Sequence, residues 1–412
     1  MRYRTISALA LCAALCLTAC GSEESRDTAA ESRAEAGETE TAAEDSGEEA
    51  AAGDTAAAEE ETAAGAEDGA AEAAAGEDQN VQTDVEVSTT EDGVKQAATE
   101  LFAMDTYMQL TAYGEECAEA VQAAADEIFR LDALLSIGEE ESEIYRINQE
   151  GGGTLSEETA DMVEDAYGFY ETTDGAFDIT VLPLMELWGF TTEDYRVPEQ
   201  SEIDETLQHV GMDLLTYDSE SRTLDLGEAE GIDLGGIAKG YTSGRLRDIF
   251  AEYDLVGAIV TLGGNVQCYG SKPDGSLWKV GVQNPIDPDS TDYTAVIEIE
   301  DKAVITSGAY ERNFTDEETG KLYHHIIDPA TGYSAESGII SATIVSSDGM
   351  TADALSTSVY IMGLEKAEEY WKQYGESLDF DMILMTEDQE VYYTEGLEEV
   401  FESGFESHVI KR

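Results

Sequence analysis

Between Gly21 and about Gly93 the chain holds almost no large apolar residue and is built of Ala, Glu, Asp, Gly, Thr and Ser. Such a segment cannot bury enough surface to offset the entropy of ordering it, and its like charges repel. Its Ala and Glu favour helix, but scattered Gly and the lack of an apolar stripe oppose a stable one. Residues 20–95 therefore read as an extended acidic tether, which confines folding to residues 96–412. That stretch is long enough for one large domain or two fused lobes.

What precedes the tether reads as an address. Arg2 and Arg4 form a positive start, and Ile6 to Ala19 form an apolar core too short to span a bilayer comfortably. Leu17-Thr18-Ala19-Cys20-Gly21 fits a lipoprotein cleavage box, so residues 1–19 are the expected signal and Cys20 the expected lipid-bearing residue. An ordinary secretory signal is the alternative, because Cys12 and Cys16 lie in the same core. Lipid chains supply membrane affinity through buried methylenes, so a membrane location outside the cytoplasm needs only that anchor.

The formal charge of −70 argues against nucleic-acid binding, which requires clustered Lys and Arg. An anionic substrate would need local help from a cation or from backbone amides. Beyond the lipid site only Cys117 and Cys268 remain, either paired or as two buried thiols, and a Cys-based zinc site is excluded.

Apolar spacing predicts a strand over Phe102 to Ala112, a helix over Cys117 to Leu135, a short amphipathic turn over Ser142 to Asn148 and a helix opening at Ser156. Short Val-, Ile- and Thr-rich strands are expected at Gly257 to Leu262, Trp278 to Gln283, Tyr293 to Glu298, Ala303 to Ser307 and Ile339 to Val345. Helices are expected over Ala238 to Phe250 and Ala352 to Ile361. Strands in groups with helices between the groups predict an α+β fold, with mixed or antiparallel sheets and packed helices.

Several clusters are suited to chemistry. Tyr323-His324-His325-Ile326-Ile327-Asp328-Pro329-Ala330-Thr331-Gly332 places two imidazoles beside an Asp-Pro turn in a chain with only four His. Imidazole is the side chain best suited to proton transfer or metal binding near neutral pH. Asp174-Gly175-Ala176-Phe177-Asp178-Ile179-Thr180 reads as a turn into a strand. Asp233-Leu234-Gly235-Gly236-Ile237-Ala238-Lys239-Gly240 reads as a Gly turn entering a helix, where free amides and Lys239 suit an anion. Thr261-Leu262-Gly263-Gly264-Asn265 is a strand end open to close approach, or simply a tight turn. Thr306-Ser307-Gly308-Ala309-Tyr310-Glu311-Arg312 offers hydroxyls and an Arg suited to phosphate, carboxylate or a structural ion pair. Asp353 and Thr357 stand four apart, on one face of a helix, and together suit a hard cation such as Mg²⁺. The local pattern alone favours a helix cap instead.

Taken in order, these clusters change that balance. Gly-Ala-Phe-Asp-Ile-Thr-Val-x-Pro-Leu with Trp188-Gly189-Phe190, Asp-Leu-Gly-Gly-Ile-Ala-Lys-Gly, Leu-Gly-Gly-Asn, Thr-Ser-Gly-x-Tyr-x-Arg, His-Ile-Ile-Asp-Pro-x-Thr-Gly and Ala-Asp-Ala-Leu-Ser-Thr together resemble the ApbE-type FAD:protein FMN transferases. The resemblance implies a T-fold-like, two-lobed single domain over residues 96–412. It implies a Mg²⁺ held by the Gly236 carbonyl, Asp353 and Thr357, and flavin-nucleotide contacts from Met104, Ala176, Phe177, Asp178, Asp233, Lys239 and Ile327. His325 becomes the catalytic candidate and His324 a spectator.

One departure is visible. Many relatives have Ser-Thr-Tyr where this chain has Ser136-Ile137-Gly138, so an aromatic contact to the nucleotide is missing here. Asp348-Gly349-Met350-Thr351 faintly resembles the Asp-Gly-x-Thr acceptor sequence of such enzymes, but it leads into the proposed metal helix.

The implied reaction moves FMN from FAD to a Thr or Ser hydroxyl of an exported or membrane-bound flavoprotein and releases AMP. Water in place of the hydroxyl would make the enzyme an FAD pyrophosphatase. A flavin-binding lipoprotein without turnover is the non-catalytic alternative.

Overall fold

In the computed structural model, residues 84–287 and 292–412 are described, and all belong to one compact unit. The expected signal, the Cys20 lipid site and the tether up to residue 83 lie outside the described residues. The fold is α+β with mostly antiparallel pairing, as expected.

The chain enters through a meander of β1 (Glu86–Thr89), β2 (Lys95–Ala103) and β3 (Thr106–Gly114). Folding therefore begins before residue 95, because β1 pairs with β2 inside the stretch read as tether. The alternation over Phe102 to Ala112 is not one strand but the end of β2, a turn and most of β3. Period-two patterning continues through a tight hairpin, so it cannot show the reversal. Met104 and Asp105 make that turn with φ of 48° and 57°.

Next come α1 (Cys117–Leu135), α2 (Glu143–Glu150), β4 (Gly152–Thr154) and α3 (Glu157–Thr172). The Ser156 hydroxyl caps α3 by accepting from the Thr159 amide at 3.3 Å, as its Ser-x-x-Thr start suggested. The strand expected after Asp178 is absent. Asp178 instead caps a 3-10 turn at Ile179–Val181, which runs into α4 (Leu182–Trp188) with Pro183 in its first turn. After α5 (Gln200–Thr206), β5 (Thr216–Asp218) and β6 (Thr223–Asp225) form a small sheet with β4.

The second half holds α6 (Gly235–Phe250), β7 (Leu255–Leu262), β8 (Asn265–Gly270), β9 (Trp278–Val282), β10 (Ala295–Ile299) and β11 (Ala303–Gly308). β12 (Asn313–Thr315) and β13 (Leu322–His324) pair as a short hairpin, followed by β14 (Ile339–Ser346). Last come α7 (Gly349–Met362), α8 (Leu364–Tyr374), β15 (Phe380–Thr386), β16 (Val391–Thr394), β17 (Phe401–Glu402) and β18 (Ser407–Ile410).

Among the described residues the main sheet has ten strands in the order β1-β2-β3-β7-β8-β11-β14-β15-β16-β18, and only β16 and β18 run parallel. Every residue of α7 from Thr351 to Tyr360 is buried except Thr357. The helix is thus interior although it carries Asp353, Ser356 and Ser358, and α7 packs against both α6 and strand β14. Cys117 and Cys268 are buried in different apolar clusters and form no disulfide.

Candidate active site

Two helices meet with almost no space between them. A Cβ added to Gly240 of α6 would lie 2.3 Å from the Gly349 carbonyl oxygen and 2.5 Å from Asp353 Cβ. One added to Gly349 would lie 2.0 Å from Ser243 Oγ and 2.6 Å from the Gly240 oxygen. Only glycine fits at either position, so the sequence itself sets how closely α6 and α7 approach.

That contact drives the Asp353 carboxylate into the backbone of α6. Asp353 Oδ2 accepts from the Gly240 amide at 2.7 Å. In an α-helix this amide points at the carbonyl four residues back, here Gly236. The Asp353 carboxylate and the Gly236 carbonyl therefore converge on one N–H, which has a single proton to share. Asp353 is buried, and desolvation pushes its carboxyl above the usual carboxylate range, while Lys239, the Gly240 amide and the Asn265 side chain favour the charged form. Asn265 is itself buried. One turn along α7, Thr357 is the position that opens towards solvent, and its Oγ1 lies 3.2 Å from Ser307 Oγ. A carboxylate, a hydroxyl and an under-bonded carbonyl form an all-oxygen donor set, which suits a hard cation such as Mg²⁺. Asp348, not Asp353, is the cap of α7, accepting from the Met350 and Thr351 amides at 2.8 and 3.2 Å. The capping role that local sequence favoured for Asp353 is thus filled by another residue. Thr351 is buried and serves that helix start, as its neighbourhood implied.

The opposite wall carries the histidines, His324 at the end of β13 and His325 just beyond it. His324 is buried, its Nε2 donates to the Ala335 carbonyl at 3.2 Å, and its ring meets Tyr360 edge-on. His325 faces the other way. Both its backbone N–H, at 3.0 Å, and its Nδ1, at 3.2 Å, reach the Arg312 carbonyl. A carbonyl only accepts, so Nδ1 carries the proton and Nε2 presents a lone pair. Desolvation first, then the Arg312 cation, lower the His325 pKa to about 3, so the ring is neutral at physiological pH.

The rest of the His-Ile-Ile-Asp-Pro-x-Thr-Gly motif is a brace. Asp328 accepts from the Ala330 amide at 2.9 Å and the Thr331 hydroxyl at 3.1 Å. Trp188 Nε1 donates to the Gly332 carbonyl at 2.8 Å, which ties this turn to the Trp-Gly-Phe motif. Ile327 is buried in the same aromatic cluster and bridges Ser334.

The remaining expected contacts divide in two. Phe177 lies against Gly236, 3.4 Å from where its Cβ would be, and Ala176 precedes it in the turn. Asp233 accepts from the Gly235 amide at 2.8 Å, and Lys239 and Arg312 partly offset the desolvation that raises its carboxyl pKa. The Gly236 amide has no acceptor among the described residues. Lys239 influences Asp233, Glu311, His325 and Asp353, so it stands among both walls. Asp178 differs. It is buried, and its carboxylate is already used by the Thr180 amide at 2.7 Å and hydroxyl at 2.5 Å, so it holds the turn. Met104 sits in the β2–β3 turn, where its amide donates to Asp132 Oδ1 at 3.0 Å. Gly138 lies in open space, with Ser136 Oγ 4.0 Å from where a Cβ would stand.

Glu311 is a site residue that the motifs did not single out. Its Oε1 lies 2.7 Å from where a Gly264 Cβ would be, so the Gly263-Gly264 turn is open for its side chain. Desolvation raises its pKa to about 7, opposed by Lys239 and Arg312. Glu311, Asp233 and His325 all keep solvent contact although desolvation is the first cause of each shift. These groups are crowded by protein yet open to water, and all three share the influence of Lys239 and Arg312.

Similarity to known proteins follows the same residues. The ApbE family model matches residues 104–380. This chain belongs to the ApbE family. The FAD:protein FMN transferase of Klebsiella pneumoniae is 30% identical over 278 residues, spanning 66% of this chain and 84% of its own length. That of Escherichia coli K12 is 32% identical over 253 residues, 59% of this chain and 71% of its own. Among solved structures, the ApbE protein of Thermotoga maritima shares the fold with TM-score 0.67 and 34% identity, covering 73% of this chain and 97% of its own. The flavin transferase ApbE of Vibrio cholerae gives TM-score 0.63 at 25% identity, over 76% and 97%. The ApbE match thus includes both helices of the glycine contact and the His325 wall.

Proposed function

We propose that this chain transfers the FMN half of FAD to a Thr or Ser hydroxyl of an acceptor protein. The observation that carries this reading is the convergence of the Asp353 carboxylate and the Gly236 carbonyl on one amide, in the same cleft as Lys239 and the bare Nε2 of His325.

The FAD diphosphate would lie between the two walls. Lys239 and the Gly236 amide supply positive potential that an acidic domain otherwise lacks. Gly236, Asp353 and Thr357 are the groups that would hold Mg²⁺, which when bound offsets charge on the diphosphate and on departing AMP. His325 Nε2 takes the proton of the acceptor hydroxyl as its oxygen forms a bond to the FMN phosphorus. The phosphorus–oxygen bond to AMP breaks, and the proton leaves with AMP or to solvent. A ring held near pKa 3 is a weak base in the empty cleft. Nearby phosphate charge opposes the Arg312 and Lys239 cations that depress it, so an anionic substrate raises its basicity.

Solvent contact at His325 favours slow hydrolysis of FAD to FMN and AMP as a side reaction. The Leu17-Thr18-Ala19-Cys20 box supports attachment through a Cys20 lipid outside the cytoplasm, with a flavoprotein of the same face as acceptor. The test is purified protein with FAD, Mg²⁺ and a flavin-acceptor domain. A fluorescent covalent product with equimolar AMP is expected, and AMP without labelled protein would favour the hydrolase.

A further inference from the structure

A transferase acting on a protein must cover its cleft mouth with that protein, and one patch beside the mouth is built for contact. Phe102 and Tyr107 are 56% and 76% exposed. They are the only aromatics among the large apolar side chains left exposed by the described residues. They face each other across the β2–β3 register, with ring centroids 5.1 Å apart and planes at 72°. Preformed edge-to-face aromatics lose little entropy on binding and are enriched where interface energy concentrates.

Their position ties them to the chemistry. The turn between them holds Met104 and Asp105, and Asp105 Oδ2 lies 3.9 Å from the Arg312 guanidinium. Arg312 is the residue whose carbonyl holds His325. The Tyr107 carbonyl accepts from the Gly263 amide at 3.1 Å, and the adjacent Gly264 makes room for Glu311. The aromatic pair is therefore continuous with the rim above His325.

We propose that Phe102 and Tyr107 dock the acceptor protein, receiving an apolar side chain from the segment that carries the target hydroxyl. This rests on the transferase reading above. A hydroxyl reaching His325 Nε2 leaves the rest of its protein outside the cleft, over this rim. A lipid surface is the poorer occupant. Glu100 and Asp105 are exposed beside the pair, and the formal charge of −70 opposes an anionic bilayer.

The test uses the full chain with saturating FAD and Mg²⁺, titrating a flavin-acceptor domain that carries an Asp-Gly-x-Thr segment. Phe102→Ala with Tyr107→Ala should raise the KM for the acceptor by about tenfold or more, on the scale of losing an interface hot spot. FAD binding, kcat and acceptor-independent AMP release should stay at wild-type values, and Phe102→Trp with Tyr107→Phe should restore the KM. Labelling with an unchanged acceptor KM overturns the docking role alone. A wild-type dimer that becomes monomeric in the double variant, with unchanged KM, overturns it in favour of self-association. No covalent flavin with wild-type protein removes the transferase reading and this one with it.

Discussion

The two walls of the cleft are built by different means. On one side α6 and α7 touch through Gly240 and Gly349, so Asp353, Thr357 and the Gly236 carbonyl are placed by backbone contact and helical spacing. On the other side His325 follows a three-residue strand and is held by two bonds to one carbonyl in the Arg312 loop. The difference matches the tasks proposed for the two walls. Cation ligands need fixed mutual spacing, which close-packed helices supply. A proton acceptor needs one lone pair free and aimed, which a single fixed tautomer supplies. Damage to the helix wall should therefore appear first in binding and stability, and damage to the histidine wall in chemistry.

The largest effect that separates the walls is expected from Asp353→Ala. It should abolish Mg²⁺-dependent FAD binding and cut flavin transfer by roughly a hundredfold or more, since even groups behind a metal ligand are worth about 10–100-fold. Calorimetry with and without Mg²⁺ checks this, and unchanged Mg²⁺-dependent affinity would dissolve the metal assignment. Gly240→Ala comes next. Its methyl has no space between the helices, so a loss of about 1–3 kcal/mol in urea unfolding is expected, together with weaker FAD binding.

The pH dependence of stability sharpens the contrast more gently. His325 is held below its usual pKa, so the folded state resists the proton that the unfolded chain takes up. Stability should fall on acidification from about 6.5, the ordinary His value, towards about 3, and His325→Asn should flatten that fall. Glu311 runs the other way. Its raised pKa favours folding below about 4.5, and that contribution is lost as pH rises through about 7. Glu311→Gln should remove the alkaline loss, and urea midpoints across pH 3–8 read both. The smallest effect is a gain. Gly138→Tyr meets no obstruction and should tighten FAD binding by a few-fold, with the fold unchanged.

Much of this was legible in the sequence where local rules decide. The helix over Cys117 to Leu135 has the predicted ends, because its apolar spacing is sustained over its full length. The two adjacent imidazoles were visible, but His324 ends β13 and His325 lies just beyond it, so their separate environments come from their different partners. Other features depend on contacts that no local window contains. The turn at Met104 and Asp105 interrupts a continuous alternation. The run after Asp178 has strand-forming residues, but its carboxylate caps a helical turn. Glu311 enters the site only because Gly264, distant in sequence, leaves room for it. The glycine pair is the clearest case. Gly240 and Gly349 each look like ordinary helix-start glycines, and only their meeting explains why neither can be larger.

If one wall binds and the other transfers, His325→Ala separates the two. Purified variant and wild type are compared for Mg²⁺-dependent FAD affinity and for covalent flavin on an acceptor domain. Transfer should fall by about 10²–10⁴-fold, the usual share of a positioned base, while FAD affinity stays within a few-fold of wild type. Transfer persisting at near wild-type rate, or affinity lost together with transfer, would contradict it.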